Sequence, residues 1–460
     1  MTKQQRLVLV ISVLASFVAF LDGSVVNVAL PALTRELGGG LTTQQWVLDS
    51  YLVTLGALML VAGSLSDLFG RVRVLVWGLV GFGVASVLCA MAPDNLFLIA
   101  ARGLQGVAGA LLVPSSLALI ISSFSGAAQG KAIGTWTAWT GIAFVIGPLF
   151  GGFLVDVFSW RLIFAINIVP IVVTLYLMRS LRQPVEAARS VRIDFRGAIS
   201  CAVGLGGLVY ALIEEQHYGW SSSLIYVSFV VGVAAFGYFL WHERRVKDPM
   251  LPLGLFKNRN FAFGNLATVA IYGGLSIAVF LITVFVQQVG GYSAIQAGMA
   301  TLPPTIIMFV LSPRFGALAG KYGSRWFMVL GPLVAAVGFL SMLRVDQSVQ
   351  YWSQLFPGIL LFGLGLSITV APLTSAILGS ISSRQAGIAS ATNNAVSRIA
   401  GLIAIAFVGV VIGSDLEVAG FHRGVVTIAI LLGSGAIVSA IGIRNMKATA
   451  STLQPGRVKK

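Results

Sequence analysis

Leu21-Asp22-Gly23-Ser24-Val25-Val26-Asn27-Val28-Ala29-Leu30-Pro31 sets a carboxylate deep inside an apolar run that begins at Leu7 and ends at Leu33. At about 1.5 Å per helical residue, Asp22 stands roughly 22 Å from Leu7, within a hydrocarbon core about 30 Å thick. A charge at the centre of a membrane helix costs about 2.5–3.5 kcal/mol, so an acid kept there marks an ion or proton path by default. Lys3 and Arg6 precede the run as they would in a signal peptide. The run lacks an A-x-A cleavage site and reads as a retained first helix.

The rest of the chain follows the same pattern. Of 460 residues, 57% are hydrophobic and 10% charged, and the mean hydropathy is +0.92. A soluble domain carries about 25% charged residues, so lipid must be the solvent here. Apolar runs separated by polar knots give fourteen expected spans: 7–33, 46–66, 74–92, 96–121, 131–154, 161–178, 197–216, 223–242, 261–288, 297–319, 326–344, 352–378, 387–413 and 424–443. Cys89 and Cys201 both fall inside such runs and read as small core residues.

With both termini cytoplasmic, 23 of the 30 Lys and Arg residues fall on the inside. Only Arg35, Arg161, Arg344 and Arg423 fall outside, and Arg102, Arg314 and Arg398 lie within spans. This asymmetry is the positive-inside pattern, and a wrong count would have scrambled it. The net charge of +15 is therefore a topology signal, suited to an anionic inner leaflet, and not a sign of nucleic-acid binding.

An internal repeat divides the chain. Gly63–Arg73 reads G-S-L-S-D-L-F-G-R-V-R, and Gly316–Arg325 reads G-A-L-A-G-K-Y-G-S-R. The expected architecture is an all-α polytopic membrane protein: an N-terminal six-helix bundle (1–178), a linker with two inserted transmembrane helices (179–260), and a C-terminal six-helix bundle with a short tail (261–460). The basic segments 179–196 and 243–259 flank the inserted pair as interfacial linkers.

Several motifs recur in a fixed order: Leu21–Pro31, Gly63–Arg73, L-I-A-A-R-G-L-Q-G-V-A-G-A (Leu98–Ala110), G-I-A-F-V-I-G-P-L-F-G-G (Gly141–Gly152), S-W-R-L-I-F-A-I-N (Ser159–Asn167) and Q-Q-V-G-G-Y-S-A-I-Q-A-G (Gln287–Gly298). Together they resemble the major facilitator superfamily, specifically its fourteen-span drug:proton antiporter branch. The resemblance covers nearly the whole chain and implies export of small amphipathic compounds by alternating access, coupled to protons. The second loop departs from the pattern, with Gly320-Lys321 where an acidic residue is common.

Candidate coupling residues are Asp22, Asp49 and Arg102. Asp49 opens the second span, and Arg102 lies about 9 Å down the fourth, so all three are expected at one level of the N-terminal bundle. A carboxyl set between burial and a guanidinium can load and release a proton as water access changes. For Asp22 the intramembrane position favours the coupling role, and the alternative is a static ion pair that locks helices together. Gly63, Asp67, Gly70, Arg71 and Arg73 form either a cytoplasmic latch, which the resemblance favours, or a turn anchored by its charges. Gly141, Gly147, Pro148, Gly151 and Gly152 form a packing hinge or a passive close crossing in the fifth helix.

Arg398, with Asn393 and Asn394 about one turn before it, lines the C-terminal cavity or contacts an anionic substrate, with a capped or snorkelling Arg near the inner interface as the alternative. Asn27, Trp139, Tyr272 and Gln287 are further candidate substrate contacts, with core or lipid-facing positions as the alternative. Trp136 and Phe280 fall in the same class. The expected partners are a small-molecule substrate, protons and membrane lipids, with a single chain as the working unit and no cofactor or metal.

Two other functions compete. A lipid or peptide translocator on the same scaffold has the same sequence features. A membrane enzyme acting on lipids would need an acidic metal cluster or a His pair. His217, His242 and His422 are scattered, no D-x-x-D or H-E-x-x-H appears, and no Walker A motif points to ATP.

Overall fold

The computed structural model describes residues 1–181, 194–247, 249–381, 385–413 and 416–445. The side chains of Leu60, Gly63, Ser64, Asp67, Ala127, Ala386 and Gly387 lie outside that description. The described residues form α-helices joined by short turns. They are α1 (Lys3–Leu37), α2 (Gly40–Phe69), α3 (Arg71–Ala90), α4 (Asn95–Ser123), α5 (Gly126–Val157), α6 (Leu162–Ala165), α7 (Ile168–Met178), α8 (Phe195–Tyr218) and α9 (Ser223–Glu243). After a short 3₁₀ turn come α10 (Arg259–Gln288), α11 (Ala294–Ala300), α12 (Leu302–Tyr322), α13 (Arg325–Leu340), α14 (Phe356–Gly379), α15 (Ala386–Ile412) and α16 (Val418–Gly442).

Twelve segments among the described residues are long and apolar enough to cross a membrane. They are α1, α3, α4, α5, α8, α9, α10, the joined α11–α12, and α13 to α16. Twelve of the fourteen expected spans meet this measure among the described residues, all but 46–66 and 161–178. The 161–178 span appears as a shorter apolar helix, Leu162–Met178. The second expected span, α2, is a 30-residue helix whose first turns carry Thr42, Thr43, Gln44, Gln45 and Asp49.

Side-chain chemistry sets the ends of the helices. Thr2 and Gln5 build a capping box at the start of α1, and Asp94 and Asn258 cap α4 and α10. The two repeat copies end alike. Helix α2 stops at Gly70 (φ 90°, ψ 135°) and α12 at Gly323 (φ 87°, ψ 152°), a backbone that L side chains rarely adopt. Gly63–Phe69, expected in a loop, therefore belongs to the last turns of α2, and only Gly70 breaks the helix.

Helices α1 to α7 pack among themselves, with α4 against α1, α2 and α3, and α5 along α1. Helices α10 to α16 do the same, α10 lying against α15 and α16 and α14 against α12 and α13. α8 and α9 form a hairpin, with α8 set against α2 and α15. The two groups meet where α5 touches α11, α2 touches α15 and α1 touches α10. These contacts cluster at the face where α1 ends, called here the distal face. The opposite, terminal face carries the start of α1 and the end of α16.

Glycine makes the closest crossings possible. A Cβ at Gly147 or Gly151 would collide with Ser24 or Val25 of α1, and one at Gly298 with the Pro148 carbonyl. A Cβ at Gly152 would stand 2.5 Å from the Ile295 Cα of α11. Close approach in place of bulk is the usual means of helix association in lipid. Gly141 has open space where its Cβ would be and takes no part in the crossing.

Candidate functional site

Asp22 is fully buried, and every oxygen of its carboxylate is engaged. Oδ2 accepts from Arg102 Nη1 at 2.6 Å. Oδ1 accepts from Gln105 Nε2 at 2.9 Å and from Asn167 Nδ2 at 3.0 Å. Arg102 and Gln105 are one helical turn apart on α4, so their side chains project to the same point. Asn167 arrives because the chain between α6 and α7 tightens to i→i−3 bonds, from Asn167 N to Phe164 O and from Val169 N to Ile166 O.

Arg102, 1% exposed, is held on every side. Its Nε donates to the Val47 carbonyl at 3.0 Å, and Nη1 also donates to Gln105 Oε1 at 2.6 Å. The guanidinium lies 4.3 Å from the Tyr51 ring centre and 5.7 Å from that of Phe164. Ser86 closes the network through Gln105 and Asn167. Such a pair, removed from water and satisfied by hydrogen bonds, is costly to break from one side.

Asp49 does not join this network. It is buried, yet both carboxylate oxygens lack a hydrogen-bond partner. The helical repeat is the reason: Val47 and Tyr51 face α4, and Asp49 is about 200° around α2 from Val47. One turn earlier on the Asp49 side, Gln45 donates to the Ile405 and Ala406 carbonyls of α15 at 2.8 and 3.1 Å. Asp49 thus sits on the side of α2 that meets the second group of helices. The charged form of an unpartnered buried carboxyl is far more costly than the neutral form.

Below this level a narrow pocket of about 10 Å³, room for about one water, lies between α1, α2, α4 and α15. Phe20, Tyr51, Leu55, Met59 and Val113 supply apolar and aromatic walls, and Arg398 is the charged residue in the lining. Tyr51 belongs to both regions: one part of its surroundings is the Arg102 guanidinium, another is the pocket. Tyr272 is an electrostatic neighbour of Arg398.

The other candidates are dispersed. Asn393 bridges α15 to α10, donating to Asn265 Oδ1 at 3.1 Å and Thr268 Oγ1 at 3.0 Å. Asn27, Gln287 and Asn394 donate to carbonyls of their own helices, at Gly23, Thr283 and Ser390. Each bond takes up one of the two N–H donors of the amide. Trp139 is 53% exposed and lies outside the pocket lining. In the latch segment Arg73 is exposed and Arg71 half-buried at the start of α3, while the Asp67 side chain lies outside the described residues.

The structure adds residues that sequence reading passed over. Asp156, at the distal end of α5, accepts from the Ala294 and Ile295 amides at 2.9 and 2.8 Å. A carboxylate at a helix start is favourable, and here it ties the two helix groups together. Asp194 accepts from the Gly197 amide and pairs with His242 Nε2 at 2.9 Å, while the neighbouring Glu243 accepts from the Leu251 amide at 2.8 Å. Asn-in-turn and acid-at-helix-end patterns are visible in sequence, but their partners lie more than a hundred residues away for Asn167 and Asp156.

The family model described as "Major Facilitator Superfamily" matches residues 12–405. The chain belongs to the major facilitator superfamily. It is 34% identical to the methylenomycin A resistance protein of Bacillus subtilis (strain 168), across 88% of this chain and 87% of that protein. It is 33% identical to the multidrug resistance protein Stp of Mycobacterium tuberculosis, across 91% and 78%. It is also 34% identical to the puromycin resistance protein pur8 of Streptomyces alboniger, across 88% and 81%. Among solved structures, a bacterial homolog to the human lysosomal transporter Spinster superposes with a TM-score of 0.69 at 15% identity, covering 96% and 97% of the two chains. That likeness is one of fold. The protein is thus a multi-pass membrane protein of a transporter family.

Proposed function

We propose that this protein exports small amphipathic compounds, drugs or antibiotics among them, across the cell membrane by proton-coupled alternating access. The observation that carries the reading is the Tyr51 side chain. It lines the aromatic pocket and at the same time packs on Arg102, the ion-pair partner of the intramembrane acid Asp22. A substrate in the pocket therefore sits one side chain away from the charge network. The relatives named for resistance to methylenomycin A, puromycin and multiple drugs support the substrate class.

The two acids divide the work. Asp22, held by three donors, is a structural anchor that keeps α1, α4 and α7 in register. Asp49, buried and without a partner, is the group that takes up and gives up the proton when the α2–α15 contact opens. Asp156 with the start of α11 holds the distal face shut in the state seen here. Arg71, Arg73 and Asp67 form the latch of the terminal face, and the glycines of α5 allow the helix groups to pivot on a close crossing.

The chain crosses the membrane fourteen times in this reading, with α2 and the helix Leu162–Met178 added to the twelve long apolar segments. Helices α1–α7 and α10–α16 form the two six-helix bundles, and α8–α9 is an inserted hairpin against α2 and α15. Both termini are cytoplasmic, on the strength of the basic residues at the terminal face. The deciding experiment is substrate-driven proton flux in proteoliposomes, with dyes, antibiotics and lipids as the panel. Proton release with dyes or antibiotics is the expected result. Release with lipids alone would make the protein a lipid translocator, and no release with any compound would remove proton coupling.

A further inference from the structure

Among the described residues, Arg398 lacks the polar partners that a cation within a membrane helix usually has. Its side chain carries a fixed charge, because a guanidinium does not give up its proton in proteins. Arg102, in the other helix group, is supplied with a carboxylate, an amide oxygen, a backbone carbonyl and a Tyr ring. Arg398 has the ring of Phe20, 5.7 Å away, and among the described residues no hydrogen bond or ion pair engages its guanidinium. Of the two acids buried within the spans of the first helix group, Asp22 is paired with Arg102, and among the described residues no ion pair joins Asp49 to Arg398. No carboxylate lines the pocket that Arg398 enters.

Resting on the exporter reading above, we propose that the pocket selects amphipathic anions. Once the two helix groups part enough to widen this narrow pocket, Arg398 receives a carboxylate, phenolate or sulfonate, while Phe20 and Tyr51 hold a flat apolar body. A guanidinium offers two parallel N–H donors, which match such oxyanions bidentately and with about twice the strength of neutral hydrogen bonds. Aromatic side chains supply broad apolar contact at the other end of the ligand. The placement also has a mechanical consequence. Arg398 comes from α15, and the remaining lining comes from α1, α2 and α4. An anion seated on Arg398 with its body against Phe20 and Tyr51 would bridge the two helix groups. Binding would then favour the arrangement in which they close on the ligand.

The test uses a matched pair of fluorescent probes, anilinonaphthalene sulfonate and the uncharged phenylnaphthylamine, with the full-length protein in phosphatidylcholine nanodiscs. The sulfonate should bind about tenfold more tightly than the neutral probe. Arg398→Gln should weaken the sulfonate about tenfold or more and leave the neutral probe within about twofold, whereas Arg398→Lys should retain part of the preference. Equal weakening of both probes would make Arg398 a packing residue, and unchanged binding of both would place it outside the site. Either result overturns the proposal. So does loss of sulfonate binding when phosphatidylglycerol is added, because the anion on Arg398 would then be a lipid headgroup. Export is scored separately. Arg398-dependent binding without transport would fail the exporter reading alone, and export of anionic compounds unaffected by Arg398→Gln would fail this proposal alone.

Discussion

Asp22 and Arg102 meet at 2.6 Å with neither side chain reaching solvent, and the carboxylate that looks most like a proton carrier in the sequence is the one most firmly held. Gln105 and Asn167 occupy its remaining oxygen. A group that must exchange a proton each cycle needs to be released from its partners each cycle. For Asp22 that would mean breaking three hydrogen bonds.

Removing the charge should therefore be a stability lesion first. Asp22→Asn leaves Arg102 buried beside a neutral amide, with an expected loss of about 3–5 kcal/mol. Thermal unfolding of the purified variant should show it, and the double variant with Arg102→Gln should recover part of the loss. A single variant as stable as the parent, yet dead in transport, would return the coupling role to Asp22.

The complementary substitution is Asp49→Asn. It keeps the size of a side chain that makes no hydrogen bond through its oxygens, so folding and thermal stability should stay close to the parent's. Uphill export and substrate-induced proton release should vanish, with substrate binding retained. Normal transport driven by a pH gradient in this variant would remove Asp49 from the coupling path.

Distal closure is carried by Asp156. Asp156→Ala leaves the Ala294 and Ile295 amides without their acceptor and should shift the population toward opening at that face. A cysteine at the buried Ala297 should then react several-fold faster with a membrane-impermeant maleimide, with the buried Cys89 and Cys201 as blanks. No change in reactivity would make the contact a passive cap.

At the terminal face, Asp67→Asn and Arg71→Ala should each lower turnover by about tenfold, with expression and apparent substrate affinity close to the parent's. This separates a moving latch from a turn that only fixes topology. Unchanged turnover in both variants leaves topology as the role of the segment.

The count of crossings has its own check. Reporter fusions at Lys131, Pro184 and Gln454 should all read cytoplasmic for fourteen spans. An extracellular signal at Gln454 would mean that α2 or Leu162–Met178 does not cross.

The sequence by itself determined the solvent, the helical class and the family. Those follow from properties summed over long stretches: hydropathy over twenty residues, the sidedness of Lys and Arg, and motifs held in order. It also located Asp22 and Arg102 as partners, because charges are so rare within the spans that few pairings exist. Tertiary structure decided what each charge does. Whether an acid is held or left alone depends on which side of its helix it faces and on what arrives opposite. Val47 and Asp49 are two residues apart in sequence but face different neighbours. Asn167, Asp156 and Tyr51 acquire their roles from partners on other helices, and no local pattern records that. The half-buried, unpaired guanidinium of Arg398 is likewise a fact of assembly: among the described residues, one helix group supplies the cation, and the other supplies the aromatic walls.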